Sequence, residues 1–141
     1  MTKVAEDKIA ISTEHLVQLR GALNAALPRE CCGILLGENS CDRLSVKRIL
    51  NTRNTKTTIG GFTIPDHEIR RVRWLSRHYE EPIIAVFHSH PDGSGALSEP
   101  DRRSLAYSEW PWVVITPRGK SAIVDLWYYK NGLNHAHIRD A

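Results

Sequence analysis

Five consecutive apolar residues, Ile83 to Phe87, run straight into His88-Ser89-His90-Pro91. An unbroken apolar run of this length reads as a strand buried on both faces, so the fold has to place a layer on each side of it. The end of that strand then delivers two imidazoles at positions i and i+2, which project to the same face of an extended segment. Cys31-Cys32-Gly33-Ile34-Leu35-Leu36-Gly37 is a second short apolar run, bounded by glycine, and Leu44 to Leu50 looks like its neighbour across a turn.

The remaining segments fit around these strands. Lys8 to Ser12 alternates like a strand, and Ser12 or Thr13 can cap a helix carrying Leu16, Leu19, Leu23 and Leu27 at helical spacing until Pro28 ends it. Asn51 to Gly61, rich in Thr, Asn and Gly, reads as an irregular connection and a candidate substrate-facing flap. Pro65 suits the first turn of a helix to about Tyr79, with Ile69, Val72, Leu75 and Tyr79 on one stripe and Arg70, Arg71, Arg73 and Arg77 on a solvated face. Pro100 favours a short helix through about Tyr107. Trp112 to Thr116 and Ala122 to Tyr129 read as strands, with Leu133 to Ile138 as a last edge strand. The pattern predicts an α/β fold, a mixed β-sheet flanked by helices.

At 141 residues the chain has material for one domain, spanning 1–141. Apolar residues at 41% and charged residues at 25% exclude long disorder and fibrous repeats. The apolar runs fall far short of the ~20 residues that span a bilayer. Acidic residues stand where a secretory signal would carry its apolar stretch, so a cytoplasmic location is expected. Three cysteines, Cys31, Cys32 and Cys41, are an odd number without Cys-x-x-Cys spacing and predict reduced, mostly buried thiols. A net charge of +3 is small enough to serve solubility, and no nucleic-acid partner is expected.

Two histidines are not a metal site, but Asp101 supplies a third donor: Ser98-Glu99-Pro100-Asp101 would start a helix after the six-residue loop Asp92 to Leu97, which can turn back toward the histidines. Catalytic zinc commonly takes three such N/O ligands and keeps a fourth position for water. Two neutral imidazoles and one carboxylate would leave a net charge of +1, which lowers the pKa of bound water toward ~7. Amide hydrolysis further needs a group that accepts the water's proton and returns one to the departing amine. Glu30, beside an apolar strand that would desolvate it, is the candidate general base, and Ser98 could donate to the oxyanion. Asp92 is left as a loop residue.

These residues resemble the zinc peptidases of the JAMM, or MPN-plus, type. That pattern is an upstream glutamate, then His-[Ser/Thr]-His-Pro, six residues, and Ser-x-x-Asp; here it reads Glu30, His88-Ser89-His90-Pro91, Asp92 to Leu97, and Ser98-Glu99-Pro100-Asp101. The segment Pro28-Arg29-Glu30-Cys31-Cys32-Gly33-Ile34-Leu35-Leu36-Gly37 is similar to that of short bacterial members, and the resemblance covers residues from about 8 to 130. It implies a cytidine-deaminase-like fold (the JAB/MPN fold) and one zinc ion. It also implies hydrolysis of peptide or isopeptide bonds after the C-terminal glycine of a ubiquitin-like or sulfur-carrier protein with a diglycine tail.

Each piece also has a plainer reading. Ser98-x-x-Asp101 is a helix N-cap pattern, compatible with a second role. A non-catalytic scaffold of the same fold typically lacks one or more of the ligands, and none is missing here. A DNA-repair-associated relative would share His88 to Gly93 but not the segment around Glu30, and a nucleoside deaminase would need a Pro-Cys-x-x-Cys segment that is absent. His135-Ala136-His137 is a second His-x-His, read as structural because no acidic partner follows it in a comparable arrangement and it lies near the C-terminus.

Overall fold

The computed structural model describes residues 8–40 and 43–140. Its elements run β1 (Ile9–Ala10), α1 (Thr13–Ala26), β2 (Cys32–Ser40), β3 (Arg43–Thr52), α2 (Asp66–Tyr79), β4 (Ile83–Ser89), α3 (Glu99–Ala106), β5 (Trp112–Arg118), β6 (Ser121–Tyr129) and β7 (Leu133–Asp140). The strands form one mixed seven-stranded sheet in the order β1-β3-β2-β4-β5-β6-β7. Among the described residues, only β1/β3 and β4/β5 pair in parallel. The β4/β5 pairing needs a crossover, and α3 supplies it.

β4 lies at the centre because both of its faces are apolar. Ala85 and Phe87 pack with Leu16, Leu19 and Leu23 of α1. Val86 points the other way and packs with Val72 of α2 and Leu105 of α3. His88 shares the parity of Val86 and emerges on the α2/α3 face, wholly buried. The expected mixed sheet flanked by helices is therefore the observed one, with α1 on one face and α2 and α3 on the other.

Several local expectations are revised. The first strand is two residues long, and β2 runs on to Ser40. α1 ends at Ala26, one residue before Leu27, which is half-exposed. Ser12 is its cap, with Oγ accepting from the His15 amide at 3.1 Å. Tyr79 is off the buried stripe of α2 and lies beneath the Arg48 guanidinium, 3.5 Å from its ring centre. Pro65 stands just outside that helix, as its N-cap. Cys31, just before β2, and Cys32, its first residue, are both buried free thiols; Cys41 lies outside the described residues. No helix among the described residues is long and apolar enough to cross a membrane.

Candidate metal centre

Three side-chain atoms, from β4, from the residue just after it and from α3, converge beyond the C-terminal end of β4. His88 Nε2 and His90 Nε2 are 3.1 Å apart, and Asp101 Oδ2 lies 3.0 Å from His90 Nε2 and 3.4 Å from His88 Nε2. Ligand atoms at zinc distances of ~2.0–2.1 Å in a tetrahedron stand roughly 3.3 Å from one another, so this triangle has the size of one tetrahedral face. The donor set of two imidazoles and a carboxylate fits a divalent ion. Ser98 caps α3, its Oγ accepting from the Asp101 amide at 3.1 Å, and this fixes the turn from which Asp101 reaches the histidines.

The walls hold the imidazoles in place. Phe62 stacks on His88 with ring centres 4.5 Å apart, and Trp112 meets it edge-on at 5.1 Å. His90 Nδ1 is 2.9 Å from the Ser94 carbonyl, an acceptor that leaves Nε2 free of its proton for a metal. His88 has no such partner, since its Nδ1 is buried without one. Burial lowers the pKa of His88, outweighing the Asp101 hydrogen bond that favours the cation. Burial also works against ionised Asp101, yet hydrogen bonds from both imidazoles hold its carboxyl well below the usual range. At His90 burial favours the neutral ring, but the bonds to Asp101 and to the Ser94 carbonyl raise its pKa on balance.

Glu30 is brought in from 58 residues upstream of His88 by the pairing of Cys32 with His88 across β2 and β4. Ser89 extends that ladder by one step: its amide donates to the Cys31 carbonyl at 3.1 Å, and its Oγ accepts from the Cys31 amide at 2.8 Å. Donor atoms of Glu30, His88 and His90 then all lie within 4.8 Å of one another. Asp101 Oδ2 also lies within this limit of both imidazoles, so Glu30 and Asp101 are both candidate carboxylate donors, with Asp101 at 3.0 and 3.4 Å. Burial raises the Glu30 pKa, opposed by the amide of Gly61. One carboxylate oxygen, Oε2, accepts from Gly61, while Oε1 is buried with no protein partner.

Sequence reading missed the residue that shapes the 53–63 connection. Asn54 uses its whole amide there: Nδ2 donates to the Glu30 and Gly61 carbonyls, and Oδ1 accepts from the Lys56 and Thr63 amides. The connection closes over a cleft of about 440 Å³ whose lining includes Glu30, Lys56, Phe62, His90, Ser98 and Asp101. Asp92 remains a loop residue at the rim, its carboxylate accepting from the Ser94 amide.

The sequence matches the family of prokaryotic homologs of the JAB domain over residues 12–129. The chain belongs to that family. Two solved structures resemble this JAB-family fold. A Desulfitobacterium hafniense protein is 22% identical, with a TM-score of 0.83 over 93% of this chain and 91% of the other. A Salinibacter ruber protein is 20% identical, with a TM-score of 0.66 over 93% and 89%. At these identities the likeness concerns the fold alone.

Among curated relatives, tail tip assembly protein K of Escherichia phage lambda is 43% identical over 42 residues, 30% of this chain and 21% of that protein. Tail tip assembly protein K of Escherichia phage N15 is 27% identical over 96 residues, 67% and 36%. The JAB-family chain thus spans at most about a third of the curated relatives it matches.

Proposed function

We propose that this chain is a zinc-dependent peptidase or isopeptidase. Its substrate in this reading is the bond after the C-terminal glycine of a ubiquitin-like or sulfur-carrier protein, and its setting the cytoplasm. The observation that carries the reading is the triangle of His88 Nε2, His90 Nε2 and Asp101 Oδ2, 3.0–3.4 Å on a side, with a desolvated glutamate beside it. His88, His90 and Asp101 would hold the ion. When bound, zinc supplies a Lewis acid that makes water a nucleophile at neutral pH. The helices around the mixed sheet are read as the cytidine-deaminase-like arrangement.

Glu30 is assigned the proton transfers. Its Oε1 takes the proton of the attacking water and later gives it to the leaving amine, while the Gly61 amide keeps Oε2, and so the carboxyl plane, in place. Ser98 already accepts from the Asp101 amide, so its hydroxyl proton is available for the oxygen that becomes an oxyanion. Leu27, Pro28, Ile59 and Pro91 line a second, largely apolar groove that also reaches Glu30, a path suited to an extended chain end. A glycine tail fits because it brings no side chain to the point where Phe62 and Trp112 crowd His88.

The likeness to tail tip assembly proteins favours a second reading, in which the same hydrolytic centre processes a protein of a phage tail. The two readings share the chemistry and differ in substrate. The deciding experiment pairs zinc content of tag-free protein with cleavage of a diglycine-linked fusion. One zinc fewer in Asp101→Ala than in wild type, with cleavage reduced about 10²–10⁴-fold in a Glu30→Gln variant that keeps the wild-type zinc content, is the expected result. Full cleavage by zinc-loaded Glu30→Gln overturns the mechanism. Wild type without zinc leaves a scaffold as the better reading.

A further inference from the structure

His135-Ala136-His137 lies on β7, the edge strand, and the structure gives it the acidic partner that the sequence did not place next to it. His135 Nε2 is 3.3 Å and His137 Nδ1 is 3.0 Å from the same oxygen, Oδ1 of Asp125 on β6. Asp125 is nearly buried, whereas the two imidazoles are about half-exposed. We propose that Asp125, His135 and His137 form a second site for a divalent transition-metal ion, separate from the centre at His88, His90 and Asp101.

The topology builds this site as deliberately as the first. Ala136 and Ile138 pack into the core beneath α1, so His135 and His137 project from the opposite face, that of α2 and α3. Val124 and Leu126 also pack beneath α1, which turns Asp125 to that same opposite face. A bulge between Val124 and Asp125 shifts the register so that Asp125 pairs with His137. Trp127, the cross-strand partner of His135, stacks on its ring at 4.1 Å and 15° and holds Nε2 toward Asp125.

The donor types suit a transition-metal ion. Two imidazole nitrogens and one carboxylate oxygen are a donor set for zinc, nickel or copper, whereas calcium and magnesium prefer oxygen alone. Separations of 3.0 and 3.3 Å between nitrogen and oxygen match neighbouring donors held ~2.0–2.2 Å from one ion. The half-exposed imidazoles leave the ion's remaining positions open to water. Across the sheet His88, Val114, Asp125 and His137 stand in one register row, so Asp125 is two strand spacings, roughly 10 Å, from His88. The two ions would therefore not share a ligand. An ion here would fasten the edge strand β7 to β6.

The test is the ion count of tag-free protein dialysed to equilibrium against buffered free zinc, for wild type, Asp101→Ala, His135→Ala and His137→Ala. Two ions per wild-type chain, falling to one in each variant, is the expected result. His135 and His137 sit on a solvent-facing edge, so their removal leaves the core intact. Copper(II) provides an independent readout in a ¹H–¹⁵N spectrum, where the imidazole signals of His135 and His137 broaden in Asp101→Ala but keep their width if no ion binds there. An ion count unchanged in His135→Ala and His137→Ala, together with unbroadened signals, overturns the proposal whatever happens at Asp101. One ion in wild type, lost in His137→Ala and retained in Asp101→Ala, upholds this site and removes the peptidase reading instead.

Discussion

The Gly61 amide donates to Glu30 Oε2 at 2.7 Å, so a backbone group of the 53–63 connection holds the carboxylate assigned to proton transfer. Gly61 does so at φ +85, a conformation that favours glycine, and a Cβ there would stand 2.7 Å from the Lys56 ammonium, which can move aside. The left-handed backbone is then the main obstacle to a side chain. Gly61→Ala is expected to lower stability by about 1–2 kcal/mol in chemical denaturation. A fully stable variant would mean that this turn relaxes without loss.

Glu30→Gln should stabilise the metal-free protein at neutral pH. Burial raises the Glu30 pKa above its ordinary 4.5, so the folded chain holds that proton more tightly than the unfolded one. The associated stability is present below 4.5 and is lost as pH rises through the higher folded value, leaving an ionised, partly buried carboxylate as a net cost above it. The measurement is the difference in melting temperature between Glu30→Gln and wild type in chelator, across acid to neutral pH. The gap should widen in favour of the variant as pH rises; a variant less stable at pH 7 would contradict the assigned burial effect.

Asn54→Ala removes four hydrogen bonds from one side chain, and takes this partner from the Glu30 and Gly61 carbonyls and the Lys56 and Thr63 amides. A loss of roughly 1–3 kcal/mol is expected. Amide hydrogen exchange should accelerate in residues 53–63 while α1 and β5 keep their protection. Uniform acceleration through the chain would show instead that Asn54 supports the fold at large.

Cys31 should resist alkylation in the native protein. Burial pushes its thiol pKa up to about 11, with the Ser89 hydrogen bond pulling the other way. At neutral pH only about one thiol in ten thousand is then ionised, against a few per cent for a free cysteine. Iodoacetamide followed by site-resolved mass spectrometry should leave Cys31 unmodified until denaturant is added. Rapid native labelling would place Cys31 in an accessible environment.

Short-range spacing in the sequence was enough to place a good deal of this molecule. Period two brings His88, on β4, and His90, one residue past its end, to the same site, helical spacing buries Leu16, Leu19 and Leu23, and Ser98-x-x-Asp101 starts α3 with its own cap. These features depend on residues within a turn or two of each other, where backbone geometry alone sets direction. Tertiary structure decided what depends on strand order and register. Glu30 meets His90 only because β2 pairs antiparallel with β4, and Asp101 closes the triangle only because the chain crosses over between β4 and β5. Asn54 becomes a clamp only once its connection folds back on Glu30, and Tyr79 leaves the stripe of α2 for Arg48 of β3. His135 and His137, structural by their sequence neighbourhood, acquire Asp125 through a bulged register with β6. Pairing across a sheet is settled by how both faces of every strand are buried together, a condition that spans the whole chain and cannot be read from any one segment of it.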